Sequence, residues 1–149
     1  MPADRASILG RLALAPGRAA EIAGQASAPP AGEWSAREVI LHLAAVDEQV
    51  WQPRLDSLDA AEPPRWSWVE PGLWSGLGDD TLDGALDAFR RQRAATIARL
   101  DALDDAGWRR HGVHATFGRL DVPGLLRILV DHDAEHLAQL TVLVPGRVG

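Results

Sequence analysis

The chain has no cysteine. Disulfides, thiolate catalysis by the protein itself and cysteine-based zinc sites are therefore excluded. It has no Lys/Arg-rich block, and its formal charge is −6. Nucleic acid and anionic membrane both reward a basic face, so neither is expected as a partner. The one arginine cluster, "FRRQR" (89–93), sits in an acidic-flanked helical segment and reads as a solvated face. No apolar run approaches the roughly 18 residues of a membrane helix, and no basic stretch followed by a long apolar one opens the chain. A soluble, cytoplasmic protein is the expectation. Internal repeats and low-complexity tails are absent too.

What is abundant is Ala, Leu, Arg and Asp, with few β-branched residues, a composition that favours helix over sheet. The length of 149 residues suits a single domain, 1–149. Four helical segments emerge. The first covers about 6–25, with "LAPGR" (14–18) inside it, where Pro16 calls for a kink or a late start. The second has the clearest start in the sequence: in "WSAREV", Ser35 and Glu38 form a capping box, and Trp34 and Val39 a hydrophobic staple. Its apolar stripe runs from Val39 through Ile40, Leu43, Val46 and Val50 to Trp51, and the helix should end near Leu58.

Residues 59–78 are too rich in Pro, Gly and Trp for helix, and about 20 residues is long for a connection in a compact domain. Trp66, Trp68 and Trp74 there suit packing or an interface better than a pocket cover. The third helix covers about 81–103. An irregular stretch with a short turn or hairpin follows, carrying His111 and His114. The fourth helix starts at an Asp121 N-cap and ends by Pro145. Four amphipathic helices with one long crossover between the second and third make an all-α four-helix bundle.

On a wheel of about 100° per residue, His132 and His136 lie one turn apart on one edge of the fourth helix's apolar stripe. Two imidazoles spaced i, i+4 can reach a single metal ion. His42 lies on the edge of the second helix's stripe, beside Val39 and Val46. Bundles build metal sites from facing helices, so His42, His132 and His136 are candidate ligands. Three neutral imidazoles suit Zn, Ni, Fe or Cu rather than Mg or Ca, and leave coordination positions open. Asp47 and Asp133 fall near the centres of the two stripes. Three roles stand open for them: orienting the imidazoles, taking a proton from bound water as weak catalytic candidates, or pairing with arginines.

Together, "EWSAREVILHLAAVDEQVW", "HATFGRL" and "LLRILVDHDAEHLAQL" resemble the DinB-like, damage-inducible superfamily across nearly the whole chain. That resemblance implies an up-down-down-up bundle. It implies a divalent metal, zinc or nickel, held by His42, His132 and His136, and a homodimer. Some relatives are S-transferases or isomerases that use an external thiol, mycothiol or bacillithiol. The function expected is thus a metal-dependent enzyme, either a low-molecular-weight-thiol S-transferase or a hydrolase, acting on a small molecule. The alternative is a non-catalytic, dimeric, metal-binding stress-response protein.

Overall fold

The computed structural model describes residues 2–69 and 81–146 of the chain. Helix α1 spans Pro2–Ala23 and passes through Pro16 without ending, so the late start suggested by "LAPGR" does not occur. Pro16 has no N–H to give the Leu12 carbonyl one turn back. That carbonyl is met from another helix instead, by Nη1 of Arg93 at 2.9 Å.

Helix α2, Ala36–Val46, begins at the expected capping box: the Glu38 N–H donates to Ser35 Oγ at 3.2 Å, and the Ser35 N–H to Glu38 Oε1 at 3.1 Å. The helical path continues through a widened π turn, Asp47–Trp51, into α3, Gln52–Ser57. Within the π turn the Gln52 N–H reaches back to the Asp47 carbonyl. Pro53, one residue on, would crowd an ordinary α turn and gives it no N–H; a wider turn relieves the crowding.

Helix α4, Leu82–Asp101, is capped by Thr81, and α6, Val122–Val142, by Asp121, whose Oδ1 accepts from the Gly124 N–H at 2.8 Å. Between them lie a one-turn helix α5, Asp105–Trp108, and a hairpin of β2, His111–His114, and β3, Gly118–Asp121, turning at Gly118 with φ 75°. A two-residue strand β1, Arg65–Trp66, pairs in parallel with β2, placing Trp66 opposite His114. This three-stranded sheet is an addition to the expected all-helical fold.

Two apolar clusters fill the bundle. One joins Ala19 and Ala23, Ile40, Phe89, Leu137 and Leu140. The other joins Leu12, Leu55, Leu100 and Leu125. Each helix therefore enters at one cluster and leaves at the other: α1 and α6 run one way, and α2–α3 and α4 run the opposite way, an up-down-down-up bundle. The end of α1 meets the end of α6, where the Ser27 N–H donates to the Leu143 carbonyl at 2.9 Å. Helices α4 and α6 each pack against both α1 and α2. Of the chain joining α3 to α4, residues 70–80, with Trp74, lie outside the described residues.

Candidate metal centre

Ring nitrogens of His42 from α2 and of His132 and His136 from α6 all lie within 4.8 Å of one another. The three residues that the helical wheels single out are thus brought together. His132 and His136 present Nε2 atoms 3.2 Å apart. Two imidazoles on one tetrahedral ion, with metal–nitrogen bonds of about 2.0–2.1 Å, hold their nitrogens about 3.3 Å apart. The His42 ring stands 4.7 Å from that of His136 and 5.5 Å from that of His132, centre to centre.

Protonation favours ligation. The carbonyl oxygen of the Gln139 side chain lies 2.8 Å from Nδ1 of His136. It accepts a hydrogen bond from Nδ1–H there, which leaves Nε2 with a lone pair. Burial, with the neighbouring His136, His42 and Arg93, pushes the His132 pKa down to about 3, so that ring is neutral at ordinary pH. Its Nδ1 is buried with no hydrogen-bond partner among the described residues. Three ring nitrogens converge, and an all-imidazole donor set fits a transition ion rather than Mg or Ca.

Asp47 and Asp133 sit elsewhere, on the guanidinium of Arg93. Nε and Nη2 of Arg93 donate to Asp47 at 2.9 and 3.1 Å. Nη1 and Nη2 donate to Asp133 at 2.7 and 2.8 Å. With the Leu12 carbonyl, all five guanidinium N–H groups are used. Thr96 Oγ1 adds a bond to Asp47 at 2.8 Å. Burial alone would lower the Arg93 pKa, but the two carboxylates outweigh it and the net shift is upward. Burial raises the Asp133 pKa against the opposing pull of Arg93. Of the roles left open for these aspartates, arginine pairing is the one present. The reading of "FRRQR" as a solvated face needs correction at Arg93: Arg90 and Arg91 are exposed, but Arg93 faces inward with Phe89, four residues before it, and is 1% exposed. The paired acids of two other helices make that burial tolerable.

The three histidines line a cleft of about 500 Å³, within the range of small-molecule sites. Trp34 lines it too, its ring 5.1 Å from that of His42, so this tryptophan does more than staple the start of α2. Trp68 is at the cleft and 68% exposed, whereas Trp66 is buried beneath the hairpin. His114 lines the cleft; His111, on the same strand, is not among its described lining and lies beside Arg119. Two contributors were not singled out from sequence. Arg54 continues the stripe of Val50 and Trp51 one turn further, and an arginine on an apolar stripe was the available signal. Glu135, unlike Asp133, borders the cleft.

Four helices in this order, with three imidazoles on the seam between the second and the last, define a class of bundle with a histidine-only donor set. The model of the DinB superfamily matches residues 23–140, and the chain belongs to that superfamily. Among solved structures, YfiT from Bacillus subtilis, described as "a probable metal-dependent hydrolase with an unusual four-helix bundle topology", is similar in fold. Its TM-score is 0.70 at 20% identity, over 93% of this chain and 85% of that one. No curated protein matches the chain. Among the described residues no helix is long and apolar enough to cross a membrane.

Proposed function

We propose that the protein is a divalent-metal-dependent enzyme, with His42, His132 and His136 as ligands, that hydrolyses a small molecule in the cleft. The observation that carries this reading is the convergence of three imidazoles at the wall of a cavity large enough for a substrate. A bound zinc or nickel ion supplies Lewis acidity toward a water molecule or a thiol taking an open coordination position. Gln139 fixes the tautomer of His136, and the burial of His132 keeps it unprotonated. Glu135, one turn from His132, and Asp131 border the cleft and are the carboxylates available there to accept a proton. Hydrolysis is preferred because YfiT is described as a probable metal-dependent hydrolase.

Transfer to an external thiol such as mycothiol or bacillithiol uses the same site and is the second enzymatic reading. A homodimer without catalysis draws its support from the exposed Trp68, Val69 and Phe117 at the cleft. The test is elemental analysis of untagged protein beside His42→Ala and His132→Ala, then ester, amide and thiol-acceptor panels on metal-loaded protein. About one transition ion per chain, lost in both variants, with turnover that needs no thiol, is the expected result. Turnover only with added thiol assigns the transferase. Metal without turnover, in a protein that sediments as a dimer, assigns the non-catalytic reading. Absence of metal after loading with zinc and nickel overturns all three.

A further inference from the structure

Among the described residues Arg54 is a cation without a counter-charge. Its side chain leaves α3 only 8% exposed, and no carboxylate among the described residues pairs with it. Nη2 donates to the Ser67 carbonyl at 3.0 Å. The rings of Trp51 and Trp66 lie 5.5 and 5.9 Å from the guanidinium carbon and give partial cation–π compensation. Nε and Nη1 have no hydrogen-bond partner among the described residues. A guanidinium taken out of water without an anion is costly, and burial lowers its pKa.

His114 faces the same guanidinium. Its Nδ1 accepts from the Thr116 N–H at 2.9 Å, so the proton of the neutral ring is on Nε2. That Nε2 lies 3.4 Å from Nη2 of Arg54. Two donors confront each other with no acceptor between them. Burial, then the Arg54 charge, lowers the His114 pKa, so the ring gains no second proton at ordinary pH.

We infer that Arg54 and His114 form the seat of a substrate carboxylate, and that the ligand is a small organic monoacid with an apolar body. An acid oxygen set between the two donors gives each the acceptor it lacks, and a planar carboxylate matches the guanidinium fork. One formal positive charge suits a monoanion. The exposed Asp131 and Glu135 at the same cleft oppose a dianion such as phosphate. Val46, Val50 and Ile128 supply apolar wall. The Trp51 ring is 5.5 Å from the guanidinium and 6.1 Å from the His132 ring, so one small molecule spans from the seat to the histidines. Its acid end is held at Arg54 and its reacting end at the imidazoles. The word substrate rests on the enzyme reading above; the seat itself needs no metal.

The experiment uses protein stripped of metal by a chelator, titrated with benzoate and with its neutral isostere benzamide. Tryptophan fluorescence reports binding, because Trp51 and Trp66 touch Arg54. Benzoate is expected to bind at least about tenfold more tightly than benzamide. The preference should vanish in Arg54→Gln and shrink in His114→Asn, which keeps an acceptor for the Thr116 N–H. Helical circular dichroism checks the fold; if Arg54→Gln does not fold, the wild-type preference and its loss in His114→Asn decide. Equal affinities in the wild type, no benzoate binding at millimolar concentration, or a preference that survives Arg54→Gln overturns the proposal. Zinc uptake by the same samples separates the two readings. Uptake without benzoate preference removes the seat alone; preference without uptake removes the metal enzyme and leaves a carboxylate-binding cleft.

Discussion

Pro16 and Arg93 meet at one carbonyl oxygen. The proline leaves the Leu12 carbonyl without a helical donor, and the guanidinium supplies one from α4 at 2.9 Å. The same guanidinium holds Asp47, at the start of the π turn, and Asp133 of α6. One side chain thus ties together all four long helices at mid-height. Asp133 lies between His132 and His136 in sequence, and Asp47 follows His42 by little more than a turn. Arg93 therefore fixes the register of the two helices that carry the imidazoles, without touching the cleft among its described lining.

Loss of that cation should be severe. Arg93→Met leaves two buried carboxylates unpaired, and the expected cost is about 3–5 kcal/mol in urea unfolding. Replacing all three polar partners, in Arg93→Met/Asp47→Leu/Asp133→Leu, should recover most of the loss, because apolar groups of similar size need no counter-charge. A single variant within about 1 kcal/mol of wild type, the range of an exposed pair, means that the network does not hold the bundle together.

His114 makes stability sensitive to acid. In the unfolded chain it takes a proton near 6.5, but in the fold burial and Arg54 push its pKa lower. Between those two values the unfolded state binds more protons, so stability falls as pH drops below about 6.5 and is unaffected by this residue above it. Urea midpoints at pH 7.5 and 5.5 should therefore drop less in His114→Asn than in wild type. An equal drop in both means that the fold does not resist protonation at this ring.

The hairpin depends on a missing side chain. A Cβ at Gly112 would lie 2.5 Å from Cη2 of Trp66, whose Nε1–H donates to Ser57 Oγ at 3.0 Å. Gly112→Ala must displace a buried indole and is expected to cost about 1–3 kcal/mol. In a Trp66→Ala background the same change should be close to neutral, since the obstructing ring is gone. Equal costs in both backgrounds would place the strain elsewhere.

The donor set was legible because ligation on helices has a simple period: His42, His132 and His136 each fall on the edge of an apolar stripe. Caps at Ser35 and Asp121 were legible for the same local reason, a side chain three residues from the N–H it accepts. Arg93 was not, since an arginine beside Arg90 and Arg91 looks solvated until two acids from distant helices are brought to it. The pairing of β1 with β2 joins loops more than 40 residues apart and leaves no local trace. The π turn escapes a wheel that assumes 3.6 residues throughout, although Arg54 still follows the stripe of Val50 and Trp51 one turn on.

Gln139 should tune metal affinity without being a ligand. Its side-chain oxygen accepts from Nδ1 of His136, which holds the ring in the tautomer whose Nε2 faces His132. Gln139→Leu keeps most of the side-chain volume and removes the acceptor. Losing the partner that orients a metal-bound imidazole weakens binding by about 10–100-fold, and because Gln139 is exposed and water can replace it, the lower end is expected. Zinc competition against a chromophoric chelator reads the change, and unfolding in the absence of metal should be the same as wild type within about 0.5 kcal/mol, as for an ordinary surface position. His136→Ala supplies the upper limit on the loss. Unchanged zinc affinity in Gln139→Leu, beside a large loss in His136→Ala, means that the ring is oriented by its packing against His42 and His132 and not by the amide.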